Sequence, residues 1–120
     1  MKIVDVFEKD SGYGVALPLD AMLRVTLAES PGTGYRWQLE EGSGNCLALS
    51  DRNFFPPGGP AIGAAGLAVF SFKPLRPGYC LLALKLWRPW EGDQSVVRRF
   101  QTAVSIMMPL GGYPTKVPGN

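Results

Sequence analysis

The chain has 120 residues, of which 46% are hydrophobic and 18% charged, with 12 basic against 10 acidic side chains and no histidine. That is a globular composition for one domain, and a formal charge of +2 gives no general attraction to phosphate backbones or anionic lipid. Without histidine the chain lacks the usual general base, the usual partner of a nucleophilic Ser or Cys, and the commonest zinc ligand, which disfavours triad hydrolysis and metal catalysis, and no cofactor is expected.

Residues 2–7 read as the first strand, and Asp5 and Glu8 interrupt any apolar leader, so the chain as given is expected to carry no signal peptide, with its compartment left open. Residues 13–17 follow as a second strand. Over 21–28, Leu23, Val25 and Leu27 alternate with Arg24, Thr26 and Ala28. Asp20 suits a helix N-cap, but the period-two alternation is cleaner than any helical stripe, so a strand is predicted. Further strands are predicted over 35–40, 46–50 and 66–73, the last with Phe70 and Phe72 flanking Ser71. Residues 78–88 carry Leu82, Leu84 and Leu86 at period two, and 95–107 continue in the same style. Apolar runs such as Tyr79 to Leu84 fall far short of the ~18 residues that cross a bilayer, so no membrane is expected.

The 15 glycines and 11 prolines cluster between these segments and punctuate them. Short strands at this spacing with turn chemistry between them predict an all-β fold, an antiparallel β-sandwich, with a barrel as the alternative. Residues 109–120, from Pro109 to Asn120, are too rich in Gly and Pro for a useful strand and read as a flexible tail. In Cys80 to Leu86 the cysteine shares the face of Leu82, Leu84 and Leu86, whereas in Cys46 to Leu49 the leucines fall opposite Cys46. If both leucine faces point inward the sulfurs diverge, which favours two free thiols over a disulfide.

Three connections are more unusual than a linker requires. In Ser30-Pro31-Gly32-Thr33-Gly34-Tyr35-Arg36-Trp37, Pro31 fixes its own φ while Gly32 and Gly34 permit positive φ, so a tight knuckle with Thr33 at its tip is predicted. Tyr35 and Trp37 suit a core equally well. The stretch from Asn53 to Gly66 ends in Gly63-Ala64-Ala65-Gly66, whose small side chains allow a partner to approach closely. Trp87-Arg88-Pro89-Trp90 ends the most apolar strand with the residue types most enriched at binding hot spots. Nucleic acid is disfavoured by the near-neutral charge. Glu40 and Glu41 are the only adjacent acids, and as strand neighbours they face opposite ways, so they make no acid/base pair.

Taken in order, these loops make the chain similar to the chagasin family of inhibitors of papain-like cysteine peptidases. That family carries Asn-Pro-Thr-Thr-Gly-Tyr-x-Trp, then Gly-x-Gly-Gly, then Arg-Pro-Trp. Here the three read Ser30 to Trp37, Gly63 to Gly66 and Arg88-Pro89-Trp90, with the match extending over roughly residues 14–107. Ser30, Gly32 and Ala65 depart from the pattern.

The resemblance implies an immunoglobulin-like sandwich over 1–108 with the loops at one end. It implies a monomeric, non-covalent inhibitor, not an enzyme, whose protease-binding residues are Ser30, Pro31, Gly32, Thr33, Gly34, Gly63, Ala64, Ala65, Gly66, Arg88, Pro89 and Trp90. Thr33 would lie over the catalytic thiolate and Trp90 would stack on aromatic surface beside the cleft. A carbohydrate-binding or adhesion sandwich is the alternative.

Overall fold

The computed structural model describes residues 2–58 and 65–109; the predicted tail beyond 109 and the loop residues Gly63 and Ala64 lie outside them. Eight strands are present among the described residues: β1 Lys2–Phe7, β2 Gly14–Pro18, β3 Ala21–Glu29, β4 Arg36–Leu39, β5 Leu47–Phe55, β6 Gly66–Pro74, β7 Gly78–Trp87 and β8 Arg98–Met107. They form two four-stranded sheets, β1-β3-β6-β5 and β2-β8-β7-β4, stacked as a sandwich.

β3 alternates buried and half-buried residues without a break from Ala21 to Glu29, so Asp20 caps no helix. Its inward residues Leu23, Val25 and Leu27 meet Phe70 and Phe72 of β6, Leu82 and Leu84 of β7, and Phe100 and Val104 of β8, all essentially without solvent contact. Trp37 is fully buried among them, settling it as a core residue. Burial of this apolar surface, at about 25 cal/mol per Å², is what fixes the register of the strands that carry it.

The neighbours β3–β6, β5–β6, β4–β7 and β7–β8 are antiparallel. The edge strands β1 and β2 instead run parallel to β3 and β8. A parallel pair needs a crossover, and the chain supplies one by changing sheets: β2, which separates β1 from β3 in sequence, lies on the other layer.

β5 runs to Phe55, past the predicted strand end at residue 50, so the first residues of the stretch from Asn53 that reads as loop in the sequence are strand. The reason is its position. An edge strand exposed along most of its length has no buried alternation to betray it, and a bulge between Leu49 and Asp51 breaks the period.

The cysteines correct the expectation of free thiols: Cys46 and Cys80 form a disulfide, with their Cα atoms 5.6 Å apart. The premise that failed is local. Cys46 lies in the turn before β5, where Gly44 (φ +66°) donates its N–H to the Leu81 carbonyl at 2.7 Å and turns the backbone so that Cys46 is buried. Leu49, assumed to point inward, is 48% exposed.

Candidate functional site

Strand register gathers the stems of the three loops at one end. Glu29, which precedes the first loop, pairs with Gly66, which ends the middle one, while Arg36, which follows the first, pairs with Trp87, which precedes the third. The first loop therefore crosses from one sheet to the other between the stems of its two companions.

Within the first loop, Pro31–Thr33 makes one 3-10 turn that Gly34 ends at φ +82°. The Thr33 hydroxyl is occupied internally: it donates to the Ser30 carbonyl at 2.7 Å and accepts the Tyr35 N–H at 3.2 Å. Of the two glycines expected to use positive φ, only Gly34 does, and a side chain at Gly32 would meet open space. Gly34 is required twice over. A Cβ there would lie 2.9 Å from Cη2 of Trp90 and 3.6 Å from Nε of Arg88, so the indole rests directly on the glycine.

The third loop begins with a second proline-led 3-10 turn, Pro89–Glu91, which leaves Trp90 69% exposed. Arg88 does not simply support Trp90. Its guanidinium reaches back to the first loop, donating to the Thr33 carbonyl from Nε at 3.2 Å and Nη2 at 3.0 Å. It also lies 4.3 Å from the Tyr35 ring centroid and pairs with Glu91 at 3.4 Å. Two donors on one carbonyl, with a cation over an aromatic face, make this a directional clamp that a lysine would not reproduce.

The buried Ser95 closes the loop from behind: its hydroxyl oxygen accepts the Arg88 N–H at 2.9 Å, and the hydroxyl lies 2.7 Å from the Gly92 carbonyl that accepts from it. No motif marks Ser95.

Of the middle loop, Ala65 is exposed and Gly66 is buried as the first residue of β6. A Cβ on Gly66 would run into Cζ of Phe54 and lie 2.5 Å from the Phe55 carbonyl oxygen, so this glycine makes room for its own neighbours. The Phe54 ring lies against it and, together with Trp90, Pro31 and Gly34, borders a surface cavity of about 610 Å³. Phe54, Ser95 and the buried acid Glu29, which also borders that cavity, were not among the residues the sequence singled out. Phe54 falls in the stretch that reads as loop, and Glu29 lies just past the predicted strand 21–28, where no motif marks it.

An all-β sandwich with two proline-led turns clamped into one ridge is the form of a rigid loop-presenting binder. The chain belongs to the chagasin family of peptidase inhibitors, whose family model matches residues 16–104. It is 24% identical over 99 residues to chagasin of Trypanosoma cruzi, covering 79% of this chain and 90% of that protein. Its fold is similar to that of the cysteine protease inhibitor EhICP2 from Entamoeba histolytica, with a TM-score of 0.79 at 24% identity over 88% of this chain and 96% of the other. It is also similar to PbICP-C, whose structure was solved in complex with falcipain-2, with a TM-score of 0.62 at 14% identity over 89% of this chain and 100% of that one.

Proposed function

We propose that this protein inhibits papain-like cysteine peptidases reversibly and without a covalent bond, by setting its three loops into the active-site cleft. Family membership supports the class, and its relatives are inhibitors rather than enzymes. The observation that carries the mechanism is the Arg88 clamp on the Thr33 carbonyl.

A substrate must offer its scissile carbonyl to the thiolate and to oxyanion donors. At the tip of the first loop that carbonyl already accepts two hydrogen bonds from the chain's own guanidinium. Those bonds polarise the carbonyl and would not protect it by themselves; geometry protects the Thr33–Gly34 peptide, because the clamp keeps this oxygen from turning toward the enzyme's own donors and Gly34 at φ +82° is far from the extended geometry in which proteases hold substrates. The same bonds freeze the first and third loops relative to each other. Ordering that a flexible peptide would lose on binding is already complete, which favours tight association.

In this reading Ser30, Pro31, Gly32, Thr33 and Gly34 enter the middle of the cleft, and Trp90 covers aromatic surface at its side. Arg88 and Pro89 fix Trp90, and residues 63–65 line the other side with Gly66 as their internal footing. Titration of papain or a cathepsin-L-type enzyme with increasing protein tests this directly. Stoichiometric loss of activity that returns on dilution is expected, with the inhibitor recovered uncleaved. Full peptidase activity in a large molar excess of the protein refutes it.

A further inference from the structure

We propose that Glu29 is a positioning residue of this inhibitor, fixing the stem of the first loop and tying it to the strand that launches the middle loop; this rests on the inhibitor reading above. Glu29 ends β3 on the inward face, where Ala21, Leu23, Val25 and Leu27 lead one to expect a fifth apolar residue, and it is only 6% exposed. A carboxylate is costly in such a place unless it is paired and hydrogen-bonded. Its partners show what it does. Oε1 accepts the backbone N–H of Trp37 at 2.7 Å and lies 3.6 Å from Nη2 of Arg52.

Glu29 is the last buried residue before the first loop, and Trp37 is the first one after it. The strands that carry them belong to different sheets, so no backbone ladder closes the base of the loop. Side chains do it instead. The Glu29 carboxylate takes the Trp37 N–H, and the Trp37 indole donates to the Ala28 carbonyl at 2.8 Å.

Arg52 carries the constraint outward. It stands on β5 with its guanidinium 5.0 Å from the Phe70 ring centroid, two positions before the Phe54 ring that lies against Gly66. Glu29 thus joins the first loop to the footing of the middle one, as Arg88 joins the first to the third. A hydrophobic residue at 29 would satisfy the core and release both links.

The test separates position from stability. In Glu29→Leu the core site is filled, which offsets the loss of an acceptor for the Trp37 N–H, so the melting temperature should change little. The backbone amides of Gly32, Thr33 and Gly34 should nevertheless become more mobile by ¹⁵N relaxation, and the inhibition constant for papain should rise about tenfold, because the loosened loop must be ordered again on binding. Glu29→Gln keeps an oxygen acceptor for the Trp37 N–H and should remain within about threefold of the parent.

Glu29→Leu with unchanged loop relaxation and unchanged inhibition overturns the proposal, as does a Gln variant no better than the Leu one. If Leu prevents folding, Glu29→Ala, which adds no bulk, carries the same comparison. If the parent protein itself fails to inhibit papain, the inhibitor reading falls. The positioning role is then judged on the relaxation data and the exchange rate of the Trp37 amide, and unchanged values there overturn it.

Discussion

Replacing Gly34 by alanine adds one methyl group and should disable the inhibitor without unfolding it. Two costs arise from the structure. The first is backbone: an L side chain at φ +82° costs roughly 1–2 kcal/mol. The second is contact, because the new Cβ would lie 2.9 Å from Cη2 and 3.2 Å from Cζ2 of Trp90, so the indole must leave its seat. If the displaced ring no longer reaches its partner, the loss is that of an aromatic hot spot, about 2 kcal/mol or more. The contact loss predicts inhibition weaker by about thirtyfold or more, whereas the backbone strain, present in free and bound inhibitor alike, is read in stability.

Stability should fall by no more than the backbone cost, since Trp90 is 69% exposed and supports little core. The assay is the inhibition constant against papain, paired with thermal melting, for Gly34→Ala, Trp90→Ala and the double variant. Once the indole is gone, the alanine should cost only its backbone share, so the two single effects should not add. Full additivity, or a Gly34→Ala protein that inhibits like the parent, refutes the idea that Trp90 is seated on Gly34.

Arg88→Lys keeps the charge but loses the two-donor grip on the Thr33 carbonyl, and should weaken inhibition by about 1–2 kcal/mol with little change in melting temperature; an unchanged inhibition constant removes the clamp from the mechanism. Gly32→Ala meets open space at a residue without positive φ, and should raise stability by about 0.4–1 kcal/mol in denaturant melts by restricting the unfolded chain. A destabilised Gly32→Ala variant shows that the knuckle needs glycine there. Trp37→Ala should cost about 3–5 kcal/mol of stability as a fully buried aromatic, and a variant that melts like the parent contradicts its place in the core. Reducing the Cys46–Cys80 disulfide, which spans 34 residues, should lower stability by up to about 4 kcal/mol in the chain-entropy account. Inhibition by the reduced, folded protein should persist, because Cys80 lies eight residues before Arg88, which follows the end of β7, roughly 26 Å at ~3.3 Å per residue. Loss of inhibition while the reduced protein remains folded ties the disulfide to the loops.

Much of this protein was legible in the order of its residues because the relevant physics is local. The alternation of Leu23, Val25 and Leu27, or of Leu82, Leu84 and Leu86, follows from the two-residue period of a strand and marks the core without reference to partners. Pro31 and Gly34 declare a turn by their own backbone restrictions, and Arg88-Pro89-Trp90 declares a second. These features were enough for an all-β sandwich and for the ridge that carries Trp90.

What the linear sequence could not decide depends on which segments become neighbours. Cys46 and Cys80 meet because the turn through Gly44 rotates Cys46 off the alternation assumed for it. Asp51 to Phe55 become strand through pairing with β6, a partner that supplies hydrogen bonds but no burial pattern. Gly66 is glycine because Phe54 and the Phe55 carbonyl lie where its side chain would be, and Arg88 and Glu29 become clamps only when register brings Thr33, Trp37 and Arg52 within reach. A hydrogen bond acts over about 3 Å, whereas Arg88 and Thr33 stand 55 residues apart in the chain; the contact that makes these loops one surface is therefore a property of the folded state alone.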